Sequence, residues 1–278
     1  MIGKGTSYGA ITVINAMPCG IGSAIGVTLR TAAVFTPTGE TKDVGISNDP
    51  SEDKTMARIC VAEAYKKMGI EEPEGWLLNI SSEIPISRGL KSSSSACNAI
   101  ITSVLDSERF EMDAVDRIRL GVNCARKANV TVTGAFDDAC GCDLGGLVVT
   151  DNTHDEILFR EDIGDYDVLI HAPKNKIRKT SLPLEKLKSI SSEIEKLIDV
   201  AKTDPFKAMT LNGRAIASAS GIDNIIAEIA MENGALGAGV SGSGPAVAIV
   251  LEKGDSEDFI RRSGLIGLFG TRTRRPRI

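Results

Sequence analysis

Alternating apolar and polar positions divide the first half of the chain into short strands and helices. Alternating or β-branched runs predict strands, and a run bounded by Asp-Pro and Gly69 predicts the first helix. A nearby serine-rich stretch leads into the second helix. The predicted strands are residues 10–16, 26–36, 76–84 and 145–151, and the predicted helices are residues 49–68, 96–105 and 112–128.

The second half repeats a mixed pattern after a polar stretch at residues 153–165, where periodicity fades. This stretch predicts a boundary between two domains, residues 1–155 and 156–278, and an α+β fold class. The elements predicted beyond the boundary are strands at 166–173 and 246–251 and helices at 184–201, 207–220 and 223–232.

Composition favours small-molecule chemistry. The chain has 278 residues, of which 42% are hydrophobic, so it can bury a substantial core. A net charge of −5 argues against general nucleic-acid binding, and an aromatic content of 4% argues against a base-stacking surface. No signal peptide or apolar run of roughly 20 residues is recognisable, which predicts a cytoplasmic protein.

The six cysteines favour reduced thiols in apolar surroundings, because none has the paired spacing of a zinc site. Cys140 and Cys142 are the one closely spaced pair and hence the one candidate for metal or redox chemistry.

Three glycine-rich segments are candidates for ligand binding. They are residues 19–26 (CGIGSAIG), residues 88–95 (RGLKSSSS) and residues 234–250 (GALGAGVSGSGPAVAIV). Any one of them alone is explained by a turn. Three in one chain favour a functional role for at least one.

The serine segment has the clearest chemistry. A helix that begins after it presents unpaired backbone N–H groups and the positive end of its dipole. Glycine permits close approach of an anion, serine hydroxyls add donors or a metal ligand, and Lys91 adds a positive charge. These features indicate a phosphate cradle without P-loop spacing. A serine-rich N-cap on a core helix explains the segment equally well.

Two adjacent carboxylates, Asp137 and Asp138, precede the glycine pair that opens a predicted strand. On an extended backbone they would point in opposite directions, so that one enters a site. Phosphoryl transfer needs a group that orients or deprotonates the attacking hydroxyl, with Mg²⁺ to neutralise phosphate charge. The alternative is that either aspartate only caps a turn.

Taken together and in order, three motifs resemble the GHMP kinase superfamily. Residues 85–93 (PISRGLKSS) match its ATP-binding motif P-x-x-x-G-L-x-S-S, residues 134–146 match its aspartate motif, and residues 237–247 match its C-terminal glycine motif. Within the superfamily, the segments GAITVINA, RGLKSSSSACNA, VTVTGAFDDA and MTLNG resemble the archaeal-type shikimate kinases.

The resemblance implies a fold and an activity. The fold would be a GHMP kinase fold, in which a domain like ribosomal protein S5 domain 2 precedes a ferredoxin-like domain. The activity would be ATP-dependent phosphorylation of the 3-hydroxyl of shikimate, with Mg²⁺, in aromatic amino-acid (chorismate) biosynthesis. A kinase of another small alcohol such as homoserine is one alternative. A non-catalytic protein that binds RNA through its arginine-rich C-terminal stretch is another.

The resemblance also assigns roles. Asp137 would be the catalytic aspartate with Asp138 as the reserve, and Ser93 would bind Mg²⁺. The ATP phosphate loop would comprise Pro85, Ile86, Ser87, Arg88, Gly89, Leu90, Lys91, Ser92, Ser93, Ser94 and Ser95. The loop closing over phosphates and substrate would comprise Gly237, Gly239, Ser241, Gly242, Ser243 and Gly244.

Two features depart from or extend the pattern. The metal-binding Glu of mevalonate-type members has no counterpart, because the corresponding region reads NCARKANV. Shikimate carries a carboxylate, so a basic residue should meet it. The candidates, which the sequence does not rank, are Arg30, Arg88, Lys127 and Arg214.

Overall fold

The computed structural model describes residues 1–47, 49–86, 88–131, 133–173 and 182–276. They form two β-sheets with helices packed against them, which confirms the α+β class. Within these ranges, no helix is long and apolar enough to cross a membrane.

The first sheet contains β1 (Gly3–Ile14), β2 (Ile21–Thr38), β3 (Lys42–Ile46), β4 (Gly75–Ser82), β5 (Leu147–Asp151) and β6 (Glu156–Glu161). The second contains β7 (Asp167–His171), β8 (Gly237–Val240), β9 (Val247–Leu251) and β10 (Leu268–Arg272). The helices are α1 (Thr55–Met68), α2 (Ser92–Ser107), α3 (Ala114–Lys127), α4 (Phe136–Leu144), α5 (Leu184–Ser189), α6 (Ser191–Glu195), α7 (Leu197–Thr203), α8 (Pro205–Ser220), α9 (Ile225–Glu232) and α10 (Ser256–Ser263).

The first sheet is built around the long β1–β2 hairpin. Strand order is β3-β4-β2-β5-β6, with β1 paired to β2 on the side of this path. Side chains of a strand alternate between faces, so Ala10 and Ala24 pack in the core that includes α4. Ile11 and Val13 pack instead with Val168 of the second sheet. One apolar core therefore joins the first sheet to the second.

The second sheet has the order β10-β7-β9-β8, and all its described pairs are antiparallel. Helices follow β7, the β8–β9 hairpin is followed by α10, and β10 closes the sheet beside β7. This is the βαββαβ pattern of a ferredoxin-like domain, as expected. The division between residues 155 and 156 stays a prediction; the first sheet runs on to Glu161, and the second begins at Asp167.

Several predicted elements were wrong in kind or extent. Residues 21–26 are strand rather than glycine loop, because Gly22 and Gly26 leave room for α4 to lie directly against β2. The serines are not a lead-in to α2 but its first turn. Asp137 and Asp138 lie in the first turn of α4, not on extended backbone. The helix predicted at residues 184–201 is divided into α5, α6 and α7.

Part of the arginine-rich C-terminal stretch packs against the first sheet and its helices. The Arg274 guanidinium lies 4.5 Å from the centre of the Tyr8 ring, and its Nη2 donates to the Cys142 carbonyl oxygen at 3.0 Å. Because Cys142 is in the last turn of α4, Arg274 neutralises the negative end of that helix. Arg277 lies outside the described residues.

Candidate active site

A cavity of about 490 Å³ lies where the N-termini of α2 and α4 meet the β1–β2 turn. The sequence-predicted residues that line it are Ile86, Arg88, Gly89, Lys91, Ser92, Ser93, Ser94, Asp137, Asp138, Gly242 and Ser243. The three predicted motifs therefore meet at one site, although they are distant in the chain.

Other predicted residues have supporting positions. Leu90 and Ser95 are buried in the protein, and Ser241 lies buried beneath the loop. Gly237 and Gly239 do not line the cavity, which corrects their assignment to the closing loop: they belong to β8, where α8 backbone fills the space a side chain would need. Pro85 and Gly244 are outside the lining as well. Ser87 lies outside the described residues.

The phosphate loop around Gly89 and the C-terminal glycine loop, residues 241–244, are packed directly against each other. Gly89 has φ of 84°, and a Cβ placed there would lie 1.9 Å from the Ser241 carbonyl oxygen. Ser241 Oγ donates to the Gly89 carbonyl at 2.8 Å, and the Ala246 N–H donates to the Arg88 carbonyl at 3.2 Å. Gly89 is thus required both by its left-handed conformation and by this close approach.

We expect Gly89→Ala to separate these loops and to weaken ATP binding about tenfold or more, since the new methyl group meets backbone that cannot rotate away. Isothermal titration with a non-hydrolysable ATP analogue measures this loss. Gly69→Ala is the matched control, because Gly69 is also left-handed but its Cβ would enter open space. Similar affinity in both variants would contradict the expected role of close packing.

The N-terminus of α2 opens into the cavity. No side chain caps this helix among the described residues, and Ser92 and Ser93 are half-buried at its first turn. The first N–H groups of a helix lack intrahelical partners, so they are available to an anion. Ser94 also lines the cavity, whereas the Ser95 hydroxyl is buried away from it and has no hydrogen-bond partner in the described part of the chain.

Lys91 brings a positive charge into the centre of this site. It immediately precedes α2 in the left-handed conformation, with φ of 66°. Its side chain is only 4% exposed, and Nζ lies 2.7 Å from Asp138 Oδ1. Nζ also donates to Thr12 Oγ1 at 2.6 Å, and the Gly242 N–H donates to the same hydroxyl oxygen at 2.7 Å. Thr12 therefore links Lys91 to Gly242 of the C-terminal glycine loop.

Asp137 is the more buried member of the carboxylate pair, with 4% exposure. Burial raises its pKa to about 7, the negative charge of Asp138 adds to this rise, and Lys91 and Asn152 oppose it. Gly22 provides the space for this side chain, because a Cβ there would lie within 2.4 Å of Asp137 Oδ2. Asp137 is thus a carboxylate that can take up a proton near neutral pH.

Sequence reasoning missed three polar residues around the site, Thr12, Asn15 and Asn152. Asn15 lines the cavity, and its Nδ2 donates to the Gly242 carbonyl at 2.8 Å. Asn152 Nδ2 donates to Asp137 Oδ1 at 2.7 Å. Thr12 and Asn15 are polar interruptions in the apolar β1 region, which was the available signal.

Of the four basic residues considered for the substrate carboxylate, Arg88 alone lines the cavity. Arg30 is on the exposed face of the hairpin, where its Nη2 donates to Thr6 Oγ1. Lys127 pairs with Glu63 at 2.6 Å, and Arg214 pairs with Glu228 at 2.6 Å. Arg30, Lys127 and Arg214 therefore lie outside the cavity, one in a hydrogen bond and two in ion pairs.

The Cys140 and Cys142 thiols face the interior and are fully buried. Burial raises the pKa of both well above the usual range of a thiol, so neither is a ready thiolate ligand or nucleophile. In the described ranges, no group of three or more His, Cys, Asp and Glu side chains is arranged to hold a metal ion.

Comparisons with known proteins match this geometry to a family. The GHMP kinases N terminal domain matches residues 55–146, and the GHMP kinases C terminal domain matches residues 194–264. The shikimate kinase of Methanocella arvoryzae is 37% identical over 265 residues, covering 95% of this chain and 90% of that protein. The chain belongs to the archaeal shikimate kinase family. The shikimate kinase of Methanothrix thermoacetophila is a second member of the family. It is 36% identical over 270 residues, which cover 96% of this chain and 91% of that protein.

The fold of the family is shared with other GHMP kinases. The mevalonate kinase of Methanococcus jannaschii superposes with a TM-score of 0.78 at 19% identity, covering 99% of this chain and 98% of that one. A homoserine kinase from Cytophaga hutchinsonii superposes with a TM-score of 0.72 at 16% identity, covering 98% and 95%. The expected GHMP kinase fold is thereby confirmed.

Proposed function

We propose that the protein transfers the γ-phosphoryl group of ATP to the 3-hydroxyl of shikimate. The observation that carries the proposal is the meeting, in one cavity, of an uncapped helix N-terminus, a buried lysine and a carboxylate with raised pKa. These are the groups that phosphoryl transfer needs for binding charge and for handling the hydroxyl proton. The relatives named shikimate kinase support the choice of acceptor.

The cavity has an apolar region suited to the nucleotide base. Half-buried side chains of Ile46, Met56, Ala96 and Val130 line it and pack against the core behind it. A planar base gains binding energy by displacing water from such a surface. The α2 N-terminus lies beside this region, because Ala96 belongs to the first turns of that helix. In this proposal the phosphates extend from the base toward Ser93 and Lys91.

Mg²⁺ would be held by the Ser93 hydroxyl together with phosphate oxygens. The donor set fits, since Mg²⁺ commonly keeps several waters and takes only one or two protein ligands beside nucleotide phosphates. The lack of a carboxylate cage in the described residues is compatible with that mode. When bound, the ion would neutralise negative charge on the phosphates.

In the reaction one oxygen–phosphorus bond forms, another breaks, and one proton is transferred. The shikimate hydroxyl oxygen forms a bond to the γ-phosphorus while the bond from that phosphorus to the bridging oxygen breaks, which releases ADP. Asp137 accepts the hydroxyl proton, for which a pKa of about 7 is well matched. Lys91 lies 2.7 Å from the neighbouring carboxylate and stabilises negative charge as the phosphoryl group transfers.

A coupled assay of ATP consumption with shikimate, homoserine and mevalonate tests the proposal. We expect turnover with shikimate and a value of kcat/KM at least about 100-fold lower for the other alcohols, because a site built to bind acceptor polar groups rejects compounds that lack them. Preference for homoserine would identify a different small-alcohol kinase. No turnover with any of them, together with salt-sensitive RNA binding, would favour the non-catalytic alternative.

The cytoplasmic location stays a prediction.

A further inference from the structure

Asn152, just beyond the end of β5, makes an unusually complete set of hydrogen bonds around Asp137. Its Oδ1 accepts from the Asp137 backbone N–H at 3.1 Å and from Thr150 Oγ1 at 2.8 Å. Its Nδ2 donates to Asp137 Oδ1 at 2.7 Å and to Thr133 Oγ1 at 3.4 Å. The side chain is 2% exposed, so solvent does not replace these partners.

The orientation of the Asn152 amide follows from chemistry. A backbone N–H can only donate, so the amide atom facing the Asp137 N–H must be the oxygen. The amide nitrogen is then directed at the Asp137 carboxylate, which it reaches at 2.7 Å. Asn152 thus binds one residue twice, once through its backbone and once through its side chain. It also caps α4 from a distance, because the N-cap residue Ala135 has no side-chain acceptor of its own.

The Asn152 backbone is itself fixed from two sides. Its N–H donates to the Gly20 carbonyl at 2.9 Å, and its carbonyl accepts from Arg126 Nη2 at 3.2 Å. Arg126 also makes a two-pronged ion pair with Asp155, at 2.7 and 2.8 Å. A bidentate pair of this kind fixes direction as well as distance. The turn that carries Asn152 is therefore attached to the end of α3.

We propose that Asn152 is a positioning residue, whose amide holds the Asp137 carboxylate in the orientation and in the ionised state that proton abstraction requires. An N–H donated to a carboxylate favours the ionised form. The inference rests on the proposed function, because it assumes that Asp137 is the base. It adds a residue that the three family motifs do not contain.

Other charges near Asp137 act on the same equilibrium. Asp138 lies on its own helix and Lys91 precedes α2. The Cys140 thiol, also on α4, is held neutral by burial, and the charges of Arg126 and Asp155 behind Asn152 are paired with each other. On β2, Gly22 lies against the Asp137 side chain and carries no charge. Asp138 raises the pKa of Asp137, whereas Lys91 and Asn152 lower it. Exchanging Asn152 alone therefore changes one contribution while the others remain.

Two variants separate capping from control of the carboxylate. Asn152→Asp keeps an oxygen for the Asp137 N–H but replaces the N–H donor with a negative charge, whereas Asn152→Leu removes both contacts. For Asn152→Asp we expect the acid limb of the kcat–pH profile to move up by about one pH unit from its midpoint near 7, so that kcat at pH 7 falls about fivefold and recovers at higher pH. Thr150→Val is the control, since it removes only a bond to Asn152 Oδ1. We expect its profile to keep the wild-type midpoint.

A measurement independent of turnover accompanies the kinetics. The Tm of wild type, Asn152→Asp and Asn152→Leu is compared across pH with the Tm of each protein carrying Asp137→Asn in addition. The pH midpoint of each difference reports ionisation of Asp137 in the folded protein. We expect this midpoint to move upward in the Asn152 variants.

The outcomes are distinct. Upward movement of both midpoints supports the inference. A pH-independent loss of kcat with an unmoved stability midpoint overturns it and leaves Asn152 as a helix cap only. A moved stability midpoint with an unmoved acid limb supports the control of Asp137 by Asn152 but overturns Asp137 as the base. If Asn152→Leu does not fold, Asn152→Asp still decides, because it retains the capping oxygen.

Discussion

Asp137→Asn is expected to lower kcat by about 100-fold or more while changing the Kd for ATP less than about threefold, because an amide of the same shape cannot accept the substrate proton. Asp137 lies on α4 and is not part of the phosphate loop, so the loop should keep its conformation and nucleotide binding should survive. Rapid-quench measurement of the chemical step, together with titration of an ATP analogue, checks both halves of this expectation.

Asp138→Asn is the matched control for this experiment. Asp138 is more exposed, at 18% of its side chain, and its carboxylate is paired with Lys91. We expect a smaller loss of kcat than in Asp137→Asn, since the variant removes a partner of Lys91 but leaves the base. Intact turnover in Asp137→Asn combined with lost turnover in Asp138→Asn would assign the base to Asp138 instead.

Asp137→Asn should also change stability in a pH-dependent way. A folded pKa of about 7 against the ordinary 3.8 means that the folded state holds a proton which the unfolded state has released over that range. Stability therefore falls as pH rises between these values, by up to about 4 kcal/mol. Asp137→Asn removes this loss, so it should exceed wild type in Tm above neutrality and approach it in acid. Denaturation across pH measures the difference.

Lys91→Met is the second change with a large expected effect. It removes the ammonium group that faces Asp138 and Thr12, so kcat should fall by about 100-fold or more, as when a preorganised donor to transition-state charge is lost. It also leaves Asp138 as an unpaired negative charge beside the phosphates, which should raise the KM for ATP. We expect this rise in KM to be smaller than the fall in kcat. Steady-state kinetics across ATP concentrations separates the two parameters.

Lys91→Gly separates charge from backbone. Lys91 has φ of 66°, a conformation that glycine adopts without strain, so this variant keeps the loop path and removes only the side chain. If the ammonium group is what matters, Lys91→Gly should be as slow as Lys91→Met. Activity near wild type in Lys91→Gly alone would show that the lysine serves the backbone path and contributes no charge to the reaction.

The part of the site that sequence predicts is the part with local chemistry. The places of Ser93 and Lys91 in the cavity were predictable because the proposed phosphate cradle is one helix start with its preceding turn. Thr12 was not, because its role depends on contacts with Lys91 and Gly242, which are 79 and 230 residues away in the chain. Such contacts exist only after β1, the loop and α2 have been packed together.

Local pattern also misjudged the backbone around Asp137. The nine residues of α4 are nearly all buried, so they lack the polar face that marks a helix in sequence. Gly22 was read as part of a loop, whereas its lack of a side chain is what admits the Asp137 carboxylate. Tertiary packing, rather than propensity, decides both features.

The contact between Arg274 and α4 has a consequence for how the protein is made. The guanidinium that neutralises the end of α4 lies 132 residues beyond Cys142 in the chain. During synthesis the first sheet and its helices can therefore emerge and pack while the carbonyl groups at the end of α4 still lack this partner. The helix that carries Asp137 therefore gains the cation at its C-terminal end only after residue 274 has been synthesised.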